Sequence, residues 1–275
     1  MQKELAVSAD QMLAFEADCQ IFSGCGFPAP GLHSFVFKPM FTVGGIEFNK
    51  PMLLALLGTV AIVWFFWAAF SKPKLVPGKL QMVGEAGYDF VRRGIVYETI
   101  GKKEGEKYVP LMVALFFFVW VMNLWSIIPF AQFPVTSVIA FPAGLAIIVW
   151  LVWVSLTFKR HGFVGAFKNF TGYDKSLGPV LPLAMVIEFF SNLLVRPFTH
   201  AVRLFANMFA GHLLIVMFTI ATWYFMNGLG FIYAPVGFVM TIVMIGFELF
   251  IQAIQAYVFV LLACNYVQGA LAEHH

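Results

Sequence analysis

A chain of 275 residues that is 61% hydrophobic and only 11% charged, with a mean hydropathy of +0.85, is built for a solvent other than water. Soluble domains average about 45–50% apolar and about 25% charged residues. The net charge of +3 is too small to argue for nucleic acid, and Cys19, Cys25 and Cys264 show no C-x-x-C spacing, so zinc, iron–sulfur or other cofactors are not expected.

In chain order, residues 1–50 read as an extracytoplasmic segment. Glu4, Asp10, Glu16 and Asp18 stand where a cleavable signal would carry a basic start and an apolar core. Pro28, Pro30 and Gly31 make turns. Cys19 and Cys25 are a disulfide candidate if this end faces an oxidising space; Cys264, in an apolar run, reads as packing. Pro51–Phe70 is the first uncharged run long enough to span about 30 Å of hydrocarbon, within a first membrane segment 51–71. Residues 72–107 follow as a basic segment whose stretch Lys79–Gly101 predicts a helix lying on the membrane surface. Segment 108–158 carries no charge and predicts a helical hairpin, with spans at Val109–Ile128 and Val138–Phe158 joined near Pro129–Pro134. Residues 177–272 predict two long helices around a turn at Asn227–Gly230 and Pro235, their excess length taken up by tilt. The expected fold is an all-α integral membrane protein with about five membrane helices, the last two a long tilted hairpin, plus a surface helix.

Lys72, Lys74, Lys79, Arg92, Arg93, Lys102, Lys103 and Lys107 cluster in one connection, and Lys159, Arg160, Lys168 and Lys175 in another. The connections near 131–137 and 227–235 carry no charge. The positive-inside rule therefore places both basic loops and the C-terminus in the cytoplasm and the N-terminus outside.

From Ser176 to Ala272 the only acidic or basic residues are Glu188, Arg196, Arg203 and Glu248, with His200 and His212 beside them. A charge near the bilayer centre costs at least about 2.5–3.5 kcal/mol, so such residues mark ion or substrate paths by default. Arg196 lies close enough to the cytoplasmic end to snorkel. Arg203 lies deeper, past Pro197, with no acid at i±3 or i±4. Glu188 is about 22 Å back along a helix axis. Ala206, Asn207, Ala210 and Gly211 beside Arg203 are small enough for another helix to approach. Arg203 reads as a fixed cation awaiting a carboxylate from elsewhere, a task that suits a guanidinium because it stays protonated when desolvated. An antiparallel hairpin turning near Leu229–Gly230 puts Arg203 opposite Gln255 and His212 opposite Glu248. It leaves Arg203 and Glu248 about 12 Å out of register, which argues against an internal ion pair.

Glu248, Gln252 and Gln255 stand at i, i+4 and i+7 as one polar stripe. For Gln252 alone an ordinary interhelical hydrogen bond is the simpler reading. Glu248 beside His212 is a pair able to exchange protons. Glu188 with Asn192 makes a second polar patch near the cytoplasmic end, so the pattern is two half-paths with an arginine between them.

Four pieces of the chain resemble the subunit a family of F-type ATP synthases: Val76-Pro77-Gly78-Lys79; Met122-Asn123-Leu124 with Pro129; Arg196-Pro197 leading to Arg203-Leu204-Phe205-Ala206-Asn207-Met208; and Glu248 with Gln252, Gln255 and Ala256. The third carries the family's signature, and the resemblance covers most of the chain beyond the first 50 residues. It implies a non-catalytic ion-translocating stator subunit. In that role Arg203 faces the carboxylates of a c-subunit ring, Gln255 lies close to it, and Asn207 sits near the meeting point. Glu248 and His212 line the outer half-channel, and Glu188 belongs to the cytoplasmic exit. Some members exchange the acid and the imidazole of the Glu248–His212 pair, which leaves the identity of the relay member open. His200 stands where the family usually has an apolar or small residue. The implied partners are the c ring, b-type peripheral-stalk subunits and the rest of the synthase, with protons and membrane lipid. The implied place is a bacterial plasma membrane, though an organelle-encoded copy would also lack a transit peptide. The ion, H⁺ or Na⁺, stays open. A self-contained secondary transporter is the alternative, but no internal repeat relates the halves. A haem- or quinone-binding redox subunit is a further one, but His200 and His212 share one helix and cannot both ligate one haem.

Overall fold

The computed structural model describes residues 41–43, 46–128, 131–172, 181–226 and 232–271. Cys19 and Cys25 lie outside them. The chain divides into two compact units, one of Phe37–Ala210 with Leu249–His275 and the other of Met1–Val36 with Gly211–Glu248.

The first unit opens with a two-stranded antiparallel ribbon, β1 (Phe41–Val43) and β2 (Ile46–Phe48), in which Phe41 faces Phe48 and Val43 faces Ile46. Helix α1 (Lys50–Phe70) follows, with Pro51 in its first turn, where a missing N–H breaks no helical bond. Its exposed face is apolar, with Leu56, Val60, Val63, Trp64 and Trp67 outward. A soluble protein would bury such a stripe, and lipid solvates it. Helix α2 (Lys79–Val91) runs on as a π-helical stretch, Arg92–Tyr97, before the single turn α3 (Lys102–Gly105). Here Arg92 donates to Tyr97 Oη at 2.6 Å and pairs with Glu106 at 2.8 Å, and the Tyr97 hydroxyl donates to the same carboxylate.

Helix α4 (Val109–Leu124) is the centre of this unit. Val109, Met112, Val113, Phe116, Phe117 and Val119 are all buried, as suits a helix apolar on every side. Against it pack Val91, Ile95 and Val96 with Leu204, Met208, Ala256, Phe259, Val260 and Ala263. The helix ends four residues before the expected Ile128. Ser126 and Ile127 bond back to Asn123 and Leu124, three residues away, so the last turn tightens. The buried Asn123 carboxamide then takes a hydrogen bond from Thr136 in the returning chain.

Helix α5 (Ala140–Thr171) departs further from expectation. Instead of stopping at Phe158 and giving way to a basic loop, it continues through Lys159, Arg160 and Lys168, with a break at Gly162 (φ 68°, ψ −176°). Lysine and arginine are good helix formers, so only the glycine interrupts the run. Side chains on its far part cap the end of the last helix: His161 Nε2 donates to Ala270 O at 2.9 Å and Asn169 Nδ2 to Gly269 O at 3.4 Å.

Helix α6 (Leu181–Phe190) passes through a π-helical stretch, Ser191–Val195, into α7 (Arg196–Tyr224). Pro197 explains the irregularity, because its ring has no N–H and crowds the carbonyl four residues back. Thr199 Oγ1 donates to Val195 O at 2.8 Å, a back-bond to the carbonyl one turn earlier. Helix α8 (Ala234–Leu271) completes the chain. The continuous run 181–224 and helices α1, α5 and α8 are long and apolar enough to cross a membrane, and α4 is a shorter apolar helix. The chain is thus an all-α, multi-pass membrane protein apart from the small ribbon.

Helices α7 and α8 contribute to both units and run antiparallel in each. In the first unit His200 meets Phe259 and Asn207 meets Gln255. In the second, Gly211 meets Glu248 and Gly237 meets Thr222. A Cβ at Gly237 would lie 2.7 Å from Thr222 Oγ1 and 3.2 Å from its Cα, so the helices approach closely because this residue has no side chain.

Candidate functional site

The α7 segment of the first unit has two faces. Ala201, Leu204 and Met208 are buried, whereas Thr199, Arg203, Ala206, Asn207 and Ala210 form an outward stripe. Leu204 and Met208 anchor this rotation by entering the core around α4 and α8. Arg203 therefore projects from the surface amid small side chains, and among the described residues it enters no ion pair.

One turn along, Asn207 Nδ2 donates to Gln255 Oε1 at 2.7 Å, with Gln255 buried on α8. The glutamine expected opposite Arg203 thus bonds its neighbour Asn207. Gln252, 0% exposed, donates through Nε2 to Ser126 Oγ at 2.7 Å and ties α8 to the turn after α4. No local sequence signal marked Ser126, which is far away in the chain and becomes a partner only through the fold.

Glu188 is exposed on α6, and its carboxylate rests against the left-handed Gly172 that ends α5. A Cβ on that glycine would overlap the Glu188 carboxylate. Asn192, buried one turn later, donates through Nδ2 to Phe170 O at 2.8 Å, satisfying one of the last carbonyls of α5. The two residues of this patch are thus held at the end of α5, a partner the sequence did not suggest.

In the second unit His212 is buried on α7 and Glu248 is 2% exposed on α8. Glu248 lies along α7 at Gly211, where a Cβ would sit 3.6 Å from the carboxylate carbon and from Oε2. The acid thus packs beside the residue preceding His212, in the register expected for the pair. Among the described residues no group of three or more His, Cys, Asp or Glu side chains could hold a metal ion.

Residues 52–268 match the family model described as ATP synthase A chain. The chain is 75% identical to ATP synthase subunit a of Streptomyces lividans over 98% of both sequences. It is 41% identical to the protein of that name from Nocardioides sp., over 92% of this chain and 96% of the other. For the Frankia alni protein of the same name the identity is 38%, over 90% and 87%. With the match running from α1 almost to the end of α8 and including every polar position just described, this chain belongs to the ATP synthase A chain family.

Proposed function

We propose that the chain is the stator ion-path subunit of a rotary ATP synthase, offering two proton half-channels and one arginine to the carboxylates of a c-subunit ring. The observation that carries this reading is Arg203, a permanent cation on an outward stripe of small residues, with no acid from the described chain paired to it. Exposed Leu194 just before this helix, and Phe198 and Leu214 on it, are side chains for lipid or a protein partner, not for water. A lone cation there calls for a carboxylate supplied from outside.

In this mechanism a proton enters from the outer side along Glu248 and His212 and neutralises a ring carboxylate, which can then face lipid. Rotation brings a protonated carboxylate toward Arg203. The guanidinium attracts the ionised form and favours release on the cytoplasmic side, past Glu188. The same charge repels a hydronium crossing directly, so the two half-paths do not short-circuit. Asn207 and Gln255, bonded to each other, hold the α7–α8 contact beside the arginine. Each elementary charge crossing 100 mV releases about 2.3 kcal/mol, which drives the ring. The chain itself does no covalent chemistry on ATP in this scheme, and its sequence has no G-x-x-x-x-G-K-[ST] phosphate loop. Peripheral-stalk subunits would hold it against the rotor, in a bacterial plasma membrane with the C-terminus inside.

Replacing Arg203 by alanine tests the proposal. Arg203→Ala is expected to abolish ATP-driven proton pumping in membrane vesicles while the complex stays assembled. Pumping at the native rate in that variant would overturn the mechanism.

A further inference from the structure

Arg196 begins α7 and has no part in the path described above. By its position in the sequence it is a side chain that snorkels out of the membrane. The structure gives its guanidinium a seat instead. Arg196 Cζ lies 6.0 Å from the ring centre of Trp153 on α5 and 5.9 Å from that of Tyr266 on α8. Trp153 is 3% exposed, so packing fixes the α5 wall of this seat. Two aromatic faces attract one cation and hold it at a set height along the helix. Among the described residues no acid pairs with it.

Arg196 is exposed and extends the outward stripe of α7, with Thr199 at i+3 and Arg203 at i+7. Seven residues make two helical turns, or about 10.5 Å along the axis. The stripe offered to a ring carboxylate therefore carries two cations. Arg196 is the one on the side that the basic loops assign to the cytoplasm. A snorkelling side chain needs no aromatic seat and can carry its charge anywhere in the headgroup layer. A seated one keeps its charge at a set distance from Arg203.

Distance decides what such a charge can do. At an effective dielectric constant of about 20, a unit charge about 10 Å away changes the proton affinity of a carboxyl group by about tenfold, and less where water screens it. A cation favours the ionised form, so it acts in the direction of proton release. We propose that Arg196 is a second electrostatic residue of the cytoplasmic half-path, where it lowers the proton affinity of the ring carboxylate facing the exit and so assists release during synthesis. It touches no reacting atom and acts through its field alone, unlike Arg203, the direct partner of the carboxylate. The charged and titratable groups around it are His200 and Arg203 on its own helix and Tyr266 on α8, with Glu188 eight residues back and seated against Gly172. Trp150 and Trp153 of α5 do not titrate. This inference rests on the stator reading of Arg203.

The test uses the intact complex in inverted membrane vesicles, whose cytoplasmic face meets the medium. In ATP-driven pumping the ring carboxylate takes up its proton from that side, so uptake falls as the medium turns alkaline. Without the nearby charge the carboxylate binds its proton more tightly. Arg196→Gln should therefore move the alkaline limb of the pumping profile to higher pH, by up to about one unit. Arg196→Lys, which keeps a cation over the rings, should keep the native limb. The catalytic sector is the same in every variant, so its own pH dependence cancels in the ratio to the native complex. An unshifted or acid-shifted limb in the Gln variant would overturn the proposal, and a rate lowered equally at every pH would leave Arg196 as a packing residue or a partner of a lipid phosphate. A limb that moves equally in the Lys variant would overturn it too, because charge is then not the cause. Should Arg196→Gln not assemble, Arg196→Met, with an unbranched stem against the rings, is read by the same criterion. If Arg203→Ala pumps at the native rate, the stator reading falls and this inference with it. If that variant is silent and the Arg196→Gln limb stays in place, only the role of Arg196 falls.

Discussion

At Gly172 the backbone turns left-handed, with φ 55° and ψ 40°, and the Glu188 carboxylate fills the space a side chain would need. Two separate penalties therefore meet at one position. An L-residue in this conformation costs roughly 1–2 kcal/mol, and a new methyl would push aside the carboxylate, which is the flexible end of a long side chain and can swing away. Gly172→Ala should lower the stability of the purified complex by about 1 kcal/mol and, with Glu188 in the exit path, should slow pumping. A Gly172→Ala complex that melts and pumps like the native one would show that Glu188 does not depend on this seat. Arg203 needs no such support, since its outward direction follows from Leu204 and Met208 on the opposite face being drawn into the core.

Irregular stretches of helix carry much of the information at the next scale. The π-helical turn Ser191–Val195 precedes Pro197 and delivers α7 to its outward stripe, so a residue without an N–H shapes the path long before any charge does. The other π-helical stretch, Arg92–Tyr97, brings Arg92 and Tyr97 together with Glu106 outside the membrane spans. The hydrogen bond from Tyr97, followed by the Arg92 charge, holds the Glu106 carboxyl below its ordinary range. The hydrogen bond to Glu106 in turn holds the Tyr97 proton on above its ordinary value of 10.0. Because Glu106 loses its proton more readily in the folded chain, its contribution to stability is present above the unfolded carboxyl value of about 4.3. That contribution fades as pH falls through the lower folded value. Tyr97 gives the mirror image, with a contribution present below its ordinary value that fades as pH rises through the higher folded one. The melting temperature of Glu106→Gln should thus fall below that of the native chain near neutral pH and converge with it in acid. A gap that persists unchanged into acid would contradict the assignment. The cluster is exposed, so the effect is small and shrinks with salt.

For the molecule as a whole, the distribution of polarity is inverted relative to a soluble protein. Asn123, Asn192, Glu248, Gln252 and Gln255 are buried, while leucines, valines, phenylalanines and tryptophans cover the outer faces of α1, α7 and α8. That arrangement is stable only where the surroundings are apolar, because hydrocarbon solvates the outer side chains and cannot satisfy the inner ones. The basic residues of 72–107 and 159–175 then set the expected orientation. In a chain stripped of its own cysteines, Ala86→Cys, on the exposed side of α2, should resist a membrane-impermeant maleimide added to intact cells and react in inverted vesicles. The reverse pattern would invert the proposed topology and exchange the two half-paths.

The amino-acid sequence by itself determined the class of protein, the positions of the apolar runs and the isolation of Arg203. These follow from composition and from the spacing of charges, which act locally and need no partner to be read. Antiparallel pairing of the last two helices was also legible, since a rigid helix advances by a fixed rise per residue. That is why Gly211 with Glu248 and Gly237 with Thr222 fall in one antiparallel register. Only the tertiary structure decided that Gln255 bonds Asn207, that Gln252 bonds Ser126, that Glu188 sits on Gly172 and that His200 and Trp150 line one small cavity. Each of these depends on side chains from different helices arriving within about 3 Å of each other or sharing one enclosed space. Helix rotation and crossing decide such meetings, and periodicity along one strand of sequence does not encode them.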